Sequence, residues 1–492
     1  MFSKKYTILI KISSIINNLF TYYLMGRFIF VNMTLIKSIS GIRGTIGGSP
    51  DQNLTPLDIV RFTSAYGMWL KNRNNASLST VVTGRDARPS GEMVHTLVNQ
   101  TLMAMGINVV DLGLSTTPTV AMAVPMENGQ GGIILTASHN PKQWNALKLL
   151  NENGEFINAD EGRALLEIAE KNKFEFSSVD ALGKYFPKSD YIKKHIDALL
   201  DLPFVKTAAI KKGAFKVVVD GVNSTGGIAI PELLEKFNVE VIPLYCEPTG
   251  DFPHNPEPLK EHLGDLCKAV VENKASFGIA VDPDVDRLVF VDENGELFGE
   301  EYTLVACADY ILSKNPGATV SNLSSTRALN DVTKTYGQNC YYSAVGEVNV
   351  VTMMKEKNAV IGGEGNGGVI YPELHYGRDA LVGTVFFLSL LTERNCSVSD
   401  LKKQYTNYFM SKNKITLQEG MDVDGILLKV KEKYADDQPS TIDGVKIDFS
   451  ASWVHLRKSN TEPIIRIYTE ATSQEEAATL AQKFVKEIEA FI

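Results

Sequence analysis

At 492 residues the chain is too long for one hydrophobic core and calls for several domains. With 44% apolar and 22% charged residues it reads as globular, and a formal net charge of −9 gives no support for a nucleic-acid partner, which a basic face would announce; local arginines can still bind a small phosphorylated substrate. Five dispersed cysteines (Cys246, Cys267, Cys307, Cys340, Cys396), odd in number and without a CxxC pair, fit neither a disulfide framework nor a metal cage and point to a reducing compartment, the cytoplasm.

In the N-terminal extension, residues 1–32, the stretch 6–31 is apolar-rich behind Lys4 and Lys5, but Lys11, Asn17, Asn18 and Arg27 interrupt it, so no run of about 18 apolar residues forms. Met33 stands directly before TLIKSISGIRGT, where globular sequence begins. The favoured reading is a start codon upstream of the working one, so that the mature protein has no membrane segment; a signal or anchor is the alternative. Within Ser40-Gly41-Ile42-Arg43-Gly44-Thr45, Arg43 is carried between turn glycines.

Three stretches then repeat one pattern, at 79–113, 215–245 and 318–346. Each has a β-branched run, a turn rich in Gly, Ser, Asn or Asp, a helical stretch, and a second strand after a Gly or Asn stop. Strand, helix and strand at this spacing make a βαβ crossover and imply parallel sheet. The expected fold is therefore α/β, with three tandem domains of shared topology at 33–186, 187–297 and 298–407. The tail, 408–492, alternates strand-like runs and ends in a helix that Ser473 should cap and Glu475 and Glu476 should favour, so it reads as a small α+β domain.

Four stretches carry chemistry. Thr136-Ala137-Ser138-His139-Asn140-Pro141 follows the strand-like GGIILT, and a serine on the turn after a buried strand lies where α/β sheets place reactive groups. It needs a base, cation or metal to become a nucleophile; His139 is adjacent and Lys148 is ten residues on. It is not a G-x-S-x-G elbow, and the bland reading is a turn satisfying its own backbone. Asp282-Pro283-Asp284-Val285-Asp286-Arg287 sets three carboxylates at alternating positions, which a loop can wrap around a hard cation, Mg²⁺ being the expected one. An EF-hand is disfavoured by Arg287 where glycine should stand, and by strand-like flanks; a solvated acidic turn is the structural alternative.

Gly363-Glu364-Gly365-Asn366-Gly367-Gly368 formally matches G-x-G-x-x-G, yet Pro372 follows instead of a helix, so a dinucleotide site is disfavoured. Either the backbone approaches a sugar there, with Glu364 and Asn366 bonding hydroxyls, or it is a plain hairpin turn. Arg457-Lys458-Ser459-Asn460-Thr461-Glu462-Pro463, with Arg466 nearby, combines cations, hydroxyls and turn amides into a phosphate cradle, or else a basic surface turn. Gly84-Arg85-Asp86-Ala87-Arg88 reads as an internal salt bridge rather than a phosphate site.

These four stretches, in this order along three repeats and a tail, resemble the α-D-phosphohexomutase superfamily over about residues 34–492. The resemblance implies four domains around a central cleft and a phosphoryl shuttle between O6 and O1 of a hexose phosphate. It implies Ser138 as phosphoserine, Mg²⁺ held by Asp282, Asp284, Asp286 and the serine phosphate, and a hexose 1,6-bisphosphate as intermediate and activator. Arg43, His139 and Lys148 match positions around the transferring phosphoryl group, Lys148 and His139 as acid and base. Arg287, Glu364 and Asn366 match the sugar side, and Arg457, Ser459, Asn460, Thr461 and Arg466 the grip on the non-reacting phosphate. Gly368 departs from many relatives, which carry histidine there; this version looks more like the branch with archaeal-type phosphoglucosamine mutases. The expected substrate is therefore glucosamine phosphate, with mannose or glucose phosphate as the alternative, and the expected state monomer or homodimer. A sugar-phosphate phosphatase and a non-catalytic binding protein are the more distant readings.

Overall fold

In the computed structural model the described residues are 33–38, 41–73, 79–417, 421–458 and 464–491, and they form four sheets. The first holds β1 (Ile36–Ser38), β2 (Gly41–Thr45), β3 (Thr80–Arg85), β4 (Asn108–Leu114), β5 (Gly131–Leu135), β6 (Trp144–Leu150) and β7 (Tyr185–Pro187) in the order β1-β2-β6-β5-β3-β4-β7. The second holds β8 (Lys216–Asp220), β9 (Glu240–Leu244), β10 (Phe277–Val281) and β11 (Leu288–Val291), ordered β11-β10-β8-β9. The third, of β12 (Thr319–Asn322), β13 (Cys340–Ser343), β14 (Ile361–Glu364) and β15 (Gly368–Ile370), runs β13-β12-β14-β15, the same order read from the other edge.

The three repeats appear as parallel pairs, β3 with β4, β8 with β9 and β12 with β13, each joined through a helix (Gly91–Ala104, Gly226–Glu235, Ala328–Thr335). The sheets are nevertheless mixed, where the repeat pattern implied parallel ones. In each domain the third strand folds straight back as an antiparallel hairpin: β5 into β6, β10 into β11, β14 into β15. The connecting loops are too short for a crossover, so antiparallel pairing is the only geometry open to them. The three hairpin tips are the serine loop, the aspartate loop and the glycine-rich loop. One topology thus presents a motif-bearing loop at the same place three times over.

β5 and β10 are buried along their whole length, as their unbroken apolar sequences require when helices cover both faces. The cores of the second and third domains merge. The helix Ala380–Arg394 is buried from Ala380 to Leu391, and Phe387 stacks on Phe290 of β11 with centroids 3.6 Å apart. Domain one meets that body at a buried polar junction, where His195 pairs with Asp379 (2.9 Å) and with the Thr119 hydroxyl (3.0 Å). The tail forms its own sheet, β16 (Phe409–Thr416), β17 (Val445–Asp448), β18 (Trp453–Lys458) and β19 (Ile464–Ala471), ordered β16-β19-β18-β17, with its own core. Its closing helix, Gln474–Glu489, is capped by Ser473, which accepts from Glu476 N. Residues 1–32 lie outside the described residues. Among the described ones no helix is long and apolar enough to cross a membrane.

Candidate active site

Ser138 stands at the β5–β6 tip with φ of 48°, a left-handed conformation uncommon outside glycine. The loop is over-determined to hold it there. Ser138 N donates to the Thr136 hydroxyl (2.9 Å), and that hydroxyl donates to Asp86 Oδ2 (2.7 Å). Arg88 Nε pairs with the same Asp86 oxygen at 2.9 Å, both side chains fully buried. The rest of the Arg88 fork donates to the carbonyls of Ser138, Pro141 (2.7 Å) and Trp144 (3.1 Å). The internal salt bridge expected of Asp86 and Arg88 is present, and it is also the brace of the serine loop.

The aspartate loop closes on this serine. Asp282, Asp284 and Asp286 are wholly buried, with a carboxylate oxygen from each within 4.8 Å of the others. Asp282 Oδ1 accepts the amides of Asp286 and Arg287 (3.1 Å each), while its Oδ2 accepts Ser138 Oγ at 2.6 Å. Asp284 Oδ2 accepts Lys148 Nζ (2.6 Å) and the Thr117 hydroxyl (2.5 Å); Asp286 Oδ2 accepts Arg378 (2.7 Å) and Lys148 (3.4 Å). The remaining oxygens, Asp284 Oδ1 and Asp286 Oδ1, are buried with no hydrogen-bond partner. Three clustered carboxylates, two of them with a buried oxygen left without a donor, beside a serine hydroxyl, are a ligand set a hard divalent cation takes. Val285 between them holds φ of 63°, an outlier for a β-branched residue, pinned by its buried side chain and by Ala380 N on its carbonyl.

Electrostatics divide the cluster. Burial, then Asp286 and Asp284, push Asp282 well above the usual carboxylate range, so it holds a proton most readily when no cation is bound. Burial would also raise Asp286, but Arg378, Lys148 and Arg287 outweigh it and hold it below that range. Burial opposes charge on Lys148, yet Asp284 and Asp286 prevail and keep it protonated beyond its ordinary value. Mg²⁺ is therefore expected to raise the melting temperature, by the equivalent of about 2.7 kcal/mol at a hundred times its dissociation constant. Asp284→Asn should flatten that response in differential scanning fluorimetry.

His139 lies with Nδ1 3.4 Å from Ser138 Oγ; burial first, then Arg287 and the other arginines, depress its pKa well below the ordinary imidazole value, so it is neutral. Arg43, opposite Ala146 across β2 and β6, feels both Arg287 and Asp284. Arg287 pairs with Glu257 at 3.0 Å, with Nε 4.0 Å from Asp282. At the third tip Glu364 is buried and fully engaged. Oε1 accepts Asn322 (2.9 Å) and Gly346 N (3.1 Å), and Oε2 accepts Arg378 (3.0 Å). Asn366 turns inward, its Oδ1 accepting Gly368 N at 3.2 Å. The tip is a hairpin with no helix behind it, so the formal G-x-G-x-x-G match lacks the helix N-terminus a dinucleotide needs. Arg457 and Arg466 are cross-strand partners on β18 and β19, at the base of the tail loop. Arg457 pairs with Asp443 (3.2 Å), which accepts Val345 N (3.0 Å) beside Gly346. Ser459, Asn460 and Thr461 lie outside the described residues.

Four family models match in succession. Phosphoglucomutase/phosphomannomutase alpha/beta/alpha domains I, II and III match residues 35–176, 193–295 and 299–408, and the C-terminal domain matches 412–487. The chain belongs to the phosphoglucomutase/phosphomannomutase family. Among curated relatives of this mutase chain, a "phosphoglucomutase/phosphomannomutase" of Thermococcus kodakarensis is 35% identical over 455 residues, covering 91% of this chain and 98% of the relative. A "probable phosphoglucosamine mutase" of Methanopyrus kandleri is 31% identical over 449 residues, covering 91% and 96%. Among solved structures, a phosphoglucomutase/phosphomannomutase family protein of Burkholderia thailandensis superposes with a TM-score of 0.79 at 25% identity, covering 94% of this chain and 97% of that one.

Three groups at this candidate site make contacts that a sequence reading does not name. Arg88 reaches the serine loop from the turn between β3 and the helix Gly91–Ala104, Thr117 caps Asp284 from the start of the helix Thr117–Met126, and Arg378 bridges the aspartate and glycine-rich loops. Arg378 sits in HYGRDA, where no spacing signal marks it; its only flag is an arginine between a glycine and an acid shortly after the glycine-rich stretch.

Proposed function

We propose that the chain moves a phosphoryl group between O6 and O1 of a hexose phosphate through phospho-Ser138, passing through a hexose 1,6-bisphosphate that reorients in the site, with glucosamine phosphate as preferred sugar. The observation that carries the reading is Ser138 Oγ at 2.6 Å from Asp282, inside a loop with two further orphaned carboxylate oxygens. Mg²⁺ bound by Asp282, Asp284, Asp286 and a phosphate oxygen on Ser138 would neutralise charge on the transferring group.

The chain's own residues do the rest. Lys148, kept protonated, donates toward the serine oxygen as phosphate leaves it; His139, kept neutral, can accept a proton. Environments that push two titratable groups apart in this way divide acid from base. Arg43 and Arg287 add positive charge near the aspartate loop. Glu364 and Asn366 face the sugar, and Arg457 and Arg466 with Ser459, Asn460 and Thr461 grip the distal phosphate in either orientation. A cytoplasmic monomer or homodimer completes the reading.

The glucosamine preference draws on the relatives named for that sugar and on glycine at 368. The name of the Thermococcus kodakarensis relative favours a second reading, dual action on mannose and glucose phosphates. Parallel kinetics on glucosamine 6-phosphate, mannose 1-phosphate and glucose 1-phosphate, with Mg²⁺ and a hexose 1,6-bisphosphate, decide between them. A strong preference for glucosamine phosphate is expected, comparable mannose and glucose rates would give the second reading, and phosphate release without isomerisation would make the chain a phosphatase.

A further inference from the structure

Arg378 lies just before the helix Ala380–Arg394, and its guanidinium touches three carboxylates from three directions. Nη2 meets Asp286 Oδ2 at 2.7 Å, Nη1 meets Glu364 Oε2 at 3.0 Å, and Nε meets Glu347 Oε2 at 2.9 Å. The side chain is 9% exposed, and all three partners are about as buried. Asp286 offers its other oxygen, unpartnered, to the cation position, so Arg378 stands behind a metal ligand and sets its orientation. Glu364 belongs to the glycine-rich loop, which the proposed function gives to the sugar. One planar ion therefore joins the two halves of the site, a task for a rigid fork of donors that a lysine cannot reproduce.

The stem of this arginine also accounts for the bare position in the glycine-rich loop. A Cβ on Gly368 would collide with Arg378 Cδ and crowd its Cγ. A histidine at 368 and Arg378 in its present place exclude each other.

We propose that Arg378 is a positioning residue that couples Glu364 to the metal ligand Asp286, and that Gly368 is glycine to leave room for it. The inference deepens the metal-dependent reading of the aspartate loop and rests on it. Through the shared guanidinium, a change at the sugar-side carboxylate alters how firmly Asp286 is held, although Glu364 touches no cation. Removing the arginine loosens both ends together.

The test is Mn²⁺ binding, followed by the electron paramagnetic resonance of the free ion, which needs no turnover. Wild type, Arg378→Met, Glu364→Gln and the double variant form a cycle, each first confirmed as folded by circular dichroism. Arg378→Met should weaken Mn²⁺ binding about 10- to 100-fold, the range for lost outer-shell partners of metal ligands. Glu364→Gln should weaken it several-fold in wild type and scarcely at all on the Arg378→Met background, because its effect travels through the arginine. Arg378→Lys, a milder variant that keeps the charge, should recover part of the Mn²⁺ affinity but leave the sugar-phosphate KM raised. Unchanged Mn²⁺ affinity in Arg378→Met overturns the proposal. So does an equal Glu364→Gln effect in both backgrounds, which would be plain long-range charge. Failure of the wild type to bind Mn²⁺ would instead remove the metal reading beneath it.

Discussion

Ser138→Ala is expected to abolish isomerisation while leaving the fold and divalent-cation binding in place. The loop's conformation does not depend on the hydroxyl. Its backbone is held by Thr136 on the Ser138 amide and by Arg88 on the Ser138 carbonyl, and the left-handed φ strains alanine much as it strains serine. The only side-chain bonds lost are to Asp282, at 2.6 Å, and the long contact to His139. Catalytically the loss should be near total, because the other hydroxyls that touch the aspartate loop among the described residues are already committed, Ser224 and Thr225 to the Pro283 carbonyl. Thr117 likewise has its hydroxyl committed to Asp284. Removing a serine nucleophile costs about 10⁶-fold in kcat in well-studied hydrolases. Incubation with a hexose 1,6-bisphosphate labelled in its phosphates should label the wild-type chain at Ser138 and leave the variant unlabelled. Isomerisation by unlabelled Ser138→Ala would mean direct transfer between sugars, and the covalent route would be abandoned.

The sequence shows which loops matter more readily than how they meet. Asp282, Asp284 and Asp286 are visible because three charges at alternate positions have few structural excuses, and Ser138 because it ends a buried strand. The hairpin returns are not visible as a repeat. Their strands, WNALKLL, LVFV and GVI, share neither length nor alternation, and their common direction is fixed by tertiary pairing with β5, β10 and β14. Val285 in a left-handed conformation contradicts local propensity, and only its buried side chain and the amide of Ala380 make it tenable. Arg378 and Arg88 are illegible for a simpler reason. Apart from Asp86 beside Arg88, their partners lie far along the chain, and an isolated arginine carries no period or spacing that names such a target. Glu364 stands out in the sequence as a candidate, but its present employment does not, since donors from Asn322, Gly346, Asn366 and Arg378 occupy it.

Arg88→Met should be strongly destabilising. It leaves Asp86 buried without its counter-ion and strips donors from the carbonyls of Ser138, Pro141 and Trp144. Breaking one side of a buried ion pair costs about 3–5 kcal/mol, and each orphaned carbonyl adds to that. Burial already holds Asp86 above the usual carboxylate range, with Arg88 the largest force pulling it down. A carboxyl raised in the folded state supports stability below its unfolded pKa and loses that support as pH climbs through the folded one. Without Arg88 the folded value rises further, so the penalty grows toward neutral pH and shrinks on acidification as Asp86 takes up a proton. Thermal melts from pH 8 down to pH 5 should therefore show the gap between wild type and Arg88→Met narrowing. The double variant Asp86→Asn/Arg88→Met should recover part of the loss at neutral pH, because no buried charge is left unpaired. It should recover little activity, since the brace that presents Ser138 to the aspartate loop is still missing. A variant that melts with the wild type and turns over normally would show that the serine loop holds its shape without the Arg88 fork.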